Sequence, residues 1–316
     1  MAIDLTAVTL NELRYAVALA EHRHFGRAAK ACSVSQPTLS AQIQKLERTL
    51  DAKIFERTSH RVELTPLGEA IVEKARRVLE ETEGILGIVH AQVEPLTGPL
   101  RLGVIPTLGP YLLPWLLRPL RKAYPDLRLI LREVRTAELI EELVDHRLDG
   151  GLLALPIPAR GLVTEPLFDE PFFALVPAKH RLATKKRVSA SDLVDEELLL
   201  LEDGHCLRDQ ALEVCAQAGI AEPGSDPSDA GADFRATSIE TLRHMVGAGL
   251  GVTLLPALAL GGGRPRNGPV AVPFTRASDA ERSVALVWRR TNPKSSDLAL
   301  LAEFIREHTP DAVEAR

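Results

Sequence analysis

The sequence predicts a multidomain protein of mixed α+β and α/β class, with a winged helix-turn-helix module, a long linker helix and a two-lobed α/β domain. Apolar residues at helical spacing mark the first 50 positions, and two short strand-like segments follow them. A sustained heptad-like apolar spacing then runs from about position 66 to 92. Beyond position 100, strand-like and helical segments alternate, which is typical of α/β folds.

Composition narrows the class of protein. The 316 residues are 45% hydrophobic and 26% charged, which is ordinary for a soluble protein with two or three domains. No apolar run approaches the roughly 20 residues of a membrane-spanning helix, and the N-terminus lacks the pattern of a signal peptide. We therefore expect a cytoplasmic protein with no membrane partner. Three cysteines without a secretion signal do not make a disulfide framework, so any cysteine chemistry is expected to be reactive.

Charge is distributed unevenly along the chain. The net charge is −5, yet residues 22–61 contain eight Lys or Arg and only three Asp or Glu. A basic N-terminal module on an acidic body suits local contact with nucleic-acid phosphates.

The sequence of the basic module predicts three helices followed by a two-stranded wing. Helices are predicted over Leu10–Glu21 and Phe25–Cys32, and Ser35 is placed to cap a third helix that runs to about Leu50. The third helix has an apolar stripe and an outward face of short hydrogen-bonding and cationic side chains, as a helix in the DNA major groove has. A solvated helix face is the alternative. Two strands then flank a polar turn. The candidate DNA-binding residues are Ser35, Gln36, Pro37, Thr38, Ser40, Gln42, Lys45, Arg57 and Arg61.

The long helix from Pro66 to about Gln92 predicts a dimer. Its apolar seam repeats at coiled-coil spacing and needs a partner helix, and two modules on a dimer read two half-sites of a double-stranded DNA operator. A helix packed only on its own domain is the alternative. The seam consists of Ile71, Ala75, Val78, Thr82, Ile85 and Val89.

The remainder predicts a mostly parallel α/β sheet after a hinge at residues 94–99. Strands are expected at 100–105 and 127–134, helices at 109–123 and 137–148, and the chain returns through a strand at 284–288 to a helix at 297–308. Ligands of open α/β sheets bind beyond the carboxyl ends of the strands, which favours Pro106-Thr107 and Arg135-Thr136 as pocket walls. The alternative is that either threonine only caps the helix that follows it.

Several motifs resemble the LysR-type regulators. They are Phe25-Gly26-Arg27-Ala28-Ala29, Val34-Ser35-Gln36-Pro37-Thr38-Leu39-Ser40, Leu46-Glu47 and Leu64-Thr65-Pro66-Leu67-Gly68. The resemblance covers essentially the whole chain and implies a regulatory domain like the periplasmic binding proteins, RNA polymerase as a partner and a homotetramer. With it we expect residues 1–66 to bind DNA, 67–95 to form the dimerising linker and hinge, and 96–316 to sense. Lobe I is placed at about 96–168 and 269–316, and lobe II at about 169–268.

Two cysteines stand nine positions apart in one predicted helix. Cys206 follows a strand and a glycine turn and opens the helix, so the helix dipole, Arg208 and His205 are expected to lower the pKa of its thiol. Cys215 lies on the apolar face of the helix. Nine helical positions correspond to a rise of about 13 Å, whereas a disulfide needs Cα atoms within about 7 Å. A bond between the two cysteines therefore requires the helix to unwind.

The segment Gly204-His205-Cys206-Leu207-Arg208-Asp209-Gln210-Ala211 resembles the hydrogen-peroxide-sensing members of the LysR family. So do segments 105–107, 109–114, 234–238 and 253–257. The resemblance implies Cys206 as the peroxide-reacting thiol and Cys215 as the resolving thiol, and a peroxide pocket made of Thr107, Thr136, His205 and Arg208. It also implies a dithiol reductant, a glutaredoxin or thioredoxin, that resets the protein. The stretch from Ala221 to Asp233 departs from the family by being longer.

Other functions stay open from the residues alone. A thiol peroxidase using Cys206 shares the first chemical step but leaves the DNA module unexplained, so we expect no enzyme. A LysR-type regulator of a small organic metabolite is a second alternative. A metal site at His205, Cys206 and Cys215 is disfavoured because the helix separates the ligands, and no cofactor is expected. Cys32 is expected to be a core residue of the DNA module.

Overall fold

The computed structural model describes residues 7–57, 62–90, 95–158, 160–194, 196–216, 235–261, 268–276, 280–310 and 312–315. The chain divides into two compact units. The first comprises Met1–Pro95 with Val144–Arg147 and Thr291–Lys294, and the second comprises the rest. Predictions for Arg61, for the loop Ala221–Asp233 and for the hinge residue Glu94 lie outside the described residues.

The first unit opens with the predicted helix-turn-helix and wing. Its elements are α1 (Leu10–His22), α2 (Phe25–Ala31), α3 (Gln36–Thr49), and the antiparallel strands β1 (Phe55–Arg57) and β2 (Val62–Leu64). Thr9 and Glu12 cap α1 reciprocally, because each side chain bonds a backbone N–H of the other. One hydrophobic core joins these elements, and Cys32 packs against it as predicted.

The linker helix α4 (Pro66–His90) follows directly. Its first turns pack on α1, with Val72 and Ala75 buried, so this half of the predicted seam is used within its own module. Further along, Val78 is exposed and Ile85 is 67% exposed within this chain. The alternative of packing within its own domain therefore holds for the first half of the seam, and the partner helix stays a prediction for the second half.

The second unit is built on a mixed eight-stranded sheet. Its strands are β3 (Gly98–Val104), β4 (Leu127–Glu133), β5 (Gly150–Ala154), β6 (Leu162–Val176), β9 (Thr253–Pro256), β10 (Val270–Pro273), β11 (Glu281–Arg289) and β12 (Glu314–Ala315). Strands β7 (Leu200–Leu201) and β8 (Arg235–Ala236) form a separate parallel pair. The helices are α5 (Gly109–Ala123), α6 (Thr136–Val144), α7 (Cys206–Ala216), α8 (Ile239–Gly247) and α9 (Ser295–Glu307).

The prediction of a mostly parallel sheet is wrong. Among the described strands of this sheet only β3 pairs in parallel, with β4 and β5, whereas β11 runs antiparallel between β5 and β6. The reason is that the returning strand inserts into the middle of the sheet, and β6 then pairs antiparallel with β9, β10 and β12 as well. Helix α6 is also shorter than predicted and ends at Val144.

Two hydrophobic cores correspond to the two lobes. The first surrounds β3, β5, α5, α9 and most of β11, and the second surrounds the far end of β6, β9 and α7. The predicted return to lobe I at position 269 comes too early, because Val272, Phe274 and Ala280 still pack in the second core. The reason is that β10 pairs with the lobe II end of β6 before the chain crosses back.

Candidate functional site

Helix α3 presents the predicted DNA-facing groups on a capped, firmly packed helix. Ser35 is its N-cap, because its Oγ accepts the backbone N–H of Thr38 at 3.3 Å and lies 2.7 Å from the Thr38 hydroxyl. Leu39, Ile43 and Leu46 are fully buried beneath the helix. Ser35, Gln36, Pro37, Thr38 and Lys45 are exposed, and Ser40 and Gln42 are half-buried.

Lys45 is more constrained than a freely solvated cation. Its Nζ lies 2.8 Å from Oε1 of Glu12, whose side chain is 1% exposed. Burial by itself raises the pKa of Glu12, but the hydrogen bonds from Lys45 and Thr9 outweigh it and hold the pKa below its ordinary value. Lys45 therefore ties α3 to α1 as well as facing solvent.

Glu47 is a buried structural acid to which the sequence analysis assigned no role. Its buried Oε1 accepts the backbone N–H groups of Ile54 at 2.9 Å and Phe55 at 3.1 Å, so one carboxylate fixes the wing to α3. A single acid within an apolar stripe, at Leu46-Glu47, was the available signal. Arg57 ends β1 as predicted.

The second cluster of interest surrounds the start of α7. Cys206 is the first residue of the helix and follows a turn in which Gly204 has φ of +89°, a conformation that favours glycine. The Cys206 side chain is half-buried and packs against the lobe I core. Cys215, 2% exposed on the same helix, belongs to the lobe II core, and burial raises the pKa of its thiol. One thiol is therefore accessible and the other is sequestered.

His205 and Arg208 flank Cys206 as predicted, but neither is a simple cationic support. Burial, and next the positive charge of Arg135, lower the pKa of His205, so its ring is neutral at pH 7. Its Nε2 is buried without a hydrogen-bond partner within the described residues. Arg208 is only 13% exposed and directs Nε to the carboxylate of Asp203 at 2.9 Å. A neutral imidazole can donate or accept a hydrogen bond beside the thiol, but it adds no positive charge there.

Thr136 lies beside a link between the lobes. Its neighbour Arg135 donates hydrogen bonds to the backbone oxygen of Asp203 and to Oε2 of Glu202, both at 3.3 Å, and so reaches the turn before Cys206. The Thr136 hydroxyl is buried and has no hydrogen-bond partner among the described residues. Thr136 begins α6, but no side-chain cap from it is observed, so the structure does not favour the capping alternative.

Thr107 is 2% exposed and belongs to a buried polar network. Its Oγ1 and its backbone oxygen accept hydrogen bonds from Arg282 Nη1 and Nη2, both at 3.1 Å. The sequence reading did not include Arg282, because 175 positions separate it from Thr107.

Gln210 is a further polar group that the sequence reading missed. It lies one helical turn after Cys206, and its Nε2 donates to the backbone oxygen of Leu155 at 3.3 Å, which links α7 to lobe I. Its Oε1 is buried and has no hydrogen-bond partner in the part of the chain that the structure describes. The signal was available, since Gln210 interrupts the apolar face of α7.

Two kinds of feature are absent from the described ranges. No group of three His, Cys, Asp or Glu side chains there is arranged to hold a metal ion. No described helix is both long and apolar enough to cross a membrane.

Comparisons with known proteins agree on one family. The model of the bacterial regulatory helix-turn-helix proteins of the lysR family matches residues 10–69, and that of the LysR substrate binding domain matches residues 94–310. A hydrogen peroxide-inducible genes activator from Pectobacterium carotovorum is 45% identical, over 97% of this chain and 99% of the relative. The DNA-binding transcriptional dual regulator OxyR of Escherichia coli is 45% identical, over 95% of each chain.

Solved structures give the same result. A full-length OxyR variant from Pseudomonas aeruginosa superposes with a TM-score of 0.80 at 41% identity and covers 96% of both chains. A Corynebacterium glutamicum OxyR mutant with bound hydrogen peroxide has a TM-score of 0.66 at 36% identity, covering 96% of this chain and 93% of that one.

Proposed function

This chain belongs to the LysR family of bacterial helix-turn-helix regulators, and on that premise we propose that it is a transcription activator that senses hydrogen peroxide through Cys206 and Cys215. The observation that carries the proposal is the placement of the two thiols on one helix but in different cores. Relatives at 45% identity carry the name of hydrogen peroxide-inducible activators, which supports the same conclusion.

The first chemical step takes place at the accessible thiol. The Cys206 thiolate attacks one peroxide oxygen, the O–O bond breaks, and the departing hydroxide takes up a proton to become water. Sulfur is oxidised by two electrons and becomes a sulfenic acid. Thr107, Thr136, His205 and Arg208 are proposed to form the pocket, and Gln210 joins them because its carbonyl oxygen is buried without a partner.

The second step requires a change of fold. Cys215 leaves the lobe II core, its sulfur attacks the sulfenic sulfur of Cys206, the S–O bond breaks, and a second water is released. The two thiols are about 13 Å apart along the helix axis, so α7 unwinds before the bond forms. The unwound segment biases how the DNA-binding modules engage the operator, and a dithiol reductant later restores both thiols.

The assembly proposed is a dimer through α4, within a homotetramer. Exposed Val78 and Ile85 form an apolar stripe on a helix of 25 residues, which a second copy of α4 covers. Two copies of α3 then bind two half-sites of the DNA operator. The outward groups of α3, together with Arg57 and Arg61, contact the DNA. The proposed division of the chain is DNA binding by residues 1–66, dimerisation by 67–95 and sensing by 96–316. RNA polymerase is the proposed partner, and the proposed location is therefore the cytoplasm.

Peptide mass analysis without reductant, combined with DNA footprinting, tests the proposal. Equimolar peroxide is expected to create a Cys206–Cys215 bond and a changed footprint. Cys206→Ser abolishes both, Cys215→Ser stops at the sulfenic acid, and Cys32→Ser, the matched control, responds as the parent does. Identical footprints and no bond in the parent protein contradict the proposal.

The same preparation separates the other two functions. A thiol peroxidase turns over many equivalents of peroxide when a dithiol is supplied, whereas a sensor reacts once and stays oxidised until it is reduced. A regulator of an organic metabolite keeps its ligand-dependent footprint in Cys206→Ser. Neither behaviour is expected here.

A further inference from the structure

Glu170 and Arg282 form an ion pair that is completely buried. The two side chains face each other across β6 and β11, where the backbone register pairs Arg282 with Glu170 directly. Glu170 Oε2 lies 2.8 Å from Arg282 Nε and 2.7 Å from Nη2, and neither side chain has any exposed area. A buried ion pair can cost as much in lost hydration as it returns, so stability alone is a poor reason for its presence.

The guanidinium group is shared between Glu170 and Thr107. Arg282 offers Nε and Nη2 to the carboxylate, and Nη1 to Thr107 Oγ1. A guanidinium has donors only, so Thr107 Oγ1 is the acceptor in this contact. The hydroxyl proton of Thr107 therefore points away from Arg282, and no hydrogen-bond acceptor for it is observed within the described residues. The pair therefore sets the direction of one hydroxyl group.

The carboxylate also holds the turn that follows β9. Its Oε1 accepts the backbone N–H of Leu258 at 2.7 Å, in the 3-10 turn Ala257–Leu260 that follows β9. Glu170 lies where β6 changes partner, since Phe172, two positions on, already pairs with Pro256 of β9. All acceptor atoms of the carboxylate are thus used, which holds Arg282 in one orientation.

We propose that Glu170 is a positioning residue for the peroxide reaction, which acts through Arg282 to make the Thr107 hydroxyl an obligate hydrogen-bond donor to peroxide. This inference rests on the proposed function, in which Thr107 lines the peroxide pocket. When the Cys206 thiolate attacks, negative charge develops on the departing oxygen, and a hydroxyl that can only donate stabilises that charge before it takes up its proton. Glu170 itself does not touch the peroxide.

Glu170→Gln tests the role, because one acceptor atom becomes an N–H donor and the charge of Arg282 loses its counterion. The rate of Cys206 sulfenic acid formation is measured by quenching with an alkylating agent and mass analysis. We expect oxidation to be about tenfold slower in Glu170→Gln and about 100-fold slower in Thr107→Val. The double variant is expected to be no slower than Thr107→Val alone, since both changes act on the same hydroxyl.

A second reagent separates positioning from general damage. Iodoacetamide reacts with the Cys206 thiolate without breaking an O–O bond, so its rate is expected to stay within about twofold of the parent in every variant. Glu165→Gln is the matched control, because Glu165 also lies on β6 and pairs with Arg306 but is 36% exposed. It oxidises at the parent's rate.

Particular results overturn the inference. The inference is contradicted if Glu170→Gln is oxidised at the parent's rate, or if its reaction with iodoacetamide slows as much as its oxidation. It is also contradicted if the rate losses of the two single variants multiply in the double variant. The proposed function stands in each case as long as the parent protein forms the Cys206–Cys215 bond. If Glu170→Gln does not fold, Arg282→Lys takes its place, because lysine keeps the charge but lacks the fork that reaches both partners. A parental oxidation rate in Arg282→Lys then contradicts the inference equally.

Discussion

Cys206 and Cys215 lie on the same helix, α7, yet Cys206 packs against the core of lobe I and Cys215 lies inside the core of lobe II. A disulfide bond between them therefore requires that α7 unwinds and that the Cys215 thiol leaves a packed core. Each requirement leads to a separate measurable consequence.

The three cysteines are expected to react with iodoacetamide in a fixed order. Cys215 is 2% exposed, burial raises the pKa of its thiol, and burial likewise raises the pKa of half-buried Cys32. Thiolate is the reactive form, so Cys206 is labelled first, and Cys215 at least about tenfold more slowly. Peptide mapping over time measures the order, with a denatured sample as control, in which the three rates converge. Equal labelling of Cys215 in the native protein contradicts the sequestered placement.

Helix propensity in α7 is expected to control the second oxidation step. Glu213 is exposed on α7, so Glu213→Gly weakens the helix by about 0.5–1 kcal/mol without removing core contacts. Conversion of the sulfenic acid to the disulfide should become about two- to fivefold faster, with sulfenic acid formation unchanged. Rapid-quench mass analysis resolves the two steps. Glu213→Ala keeps the helix strong and should not accelerate closure. An unchanged closure rate in Glu213→Gly means that unwinding does not limit this step.

Acid is expected to destabilise the reduced protein through His205. Burial, followed by Arg135, lowers the pKa of His205 below 6.5 in the folded state. Well above pH 6.5 the ring is neutral in both states. As the pH falls through 6.5 the unfolded chain takes up the proton first, so the free energy of unfolding falls as the pH falls. Urea unfolding between pH 7.5 and 5.5 measures the slope. His205→Asn should show a shallower slope, and an equal slope in the two proteins is the contrary result.

The N-cap of α3 is expected to contribute measurable stability. Ser35→Ala removes the side-chain acceptor for the Thr38 N–H and should lower the free energy of unfolding of the DNA module by about 1 kcal/mol. Ser35→Asn retains a capping oxygen and should lose only a fraction of that. Urea denaturation of the reduced protein gives both values. Identical losses in the two variants contradict the capping role.

Dimer formation is expected to depend on the exposed half of α4. Ile85 is 67% exposed in the single chain. A partner helix that covers it removes its apolar surface from water, which stabilises the dimer by about 1.5 kcal/mol or more. Ile85→Lys should therefore raise the dimer dissociation constant at least about tenfold. Sedimentation equilibrium over a range of concentrations measures this constant. Glu81→Gln, at an exposed polar position of the same helix, is the control. An unchanged dissociation constant in Ile85→Lys places the dimer contact elsewhere.

The sequence by itself determined the local features of the protein. The helix-turn-helix, the Ser35 cap, the start of α7 at Cys206 and the 25-residue linker helix all follow from signals within a few residues of one another. Helical periodicity and capping are short-range effects, since they join positions no more than about four apart. The redox pair could be singled out for the same reason, because both thiols fall within one helix.

Tertiary structure decided which distant groups meet. The insertion of β11 between β5 and β6 places Arg282 opposite Glu170 and brings it to Thr107, across separations of 112 and 175 residues. The mixed sheet, the link from Gln210 to Leu155 and the tie from Arg135 to Asp203 depend on the same long-range arrangement. No local pattern encodes these contacts, because they arise from the order of strands in the sheet and from the packing of two lobes. Placing Cys206 in contact with one core and Cys215 inside the other is the clearest instance, since the sequence put Cys215 on an apolar face without showing which core that face enters.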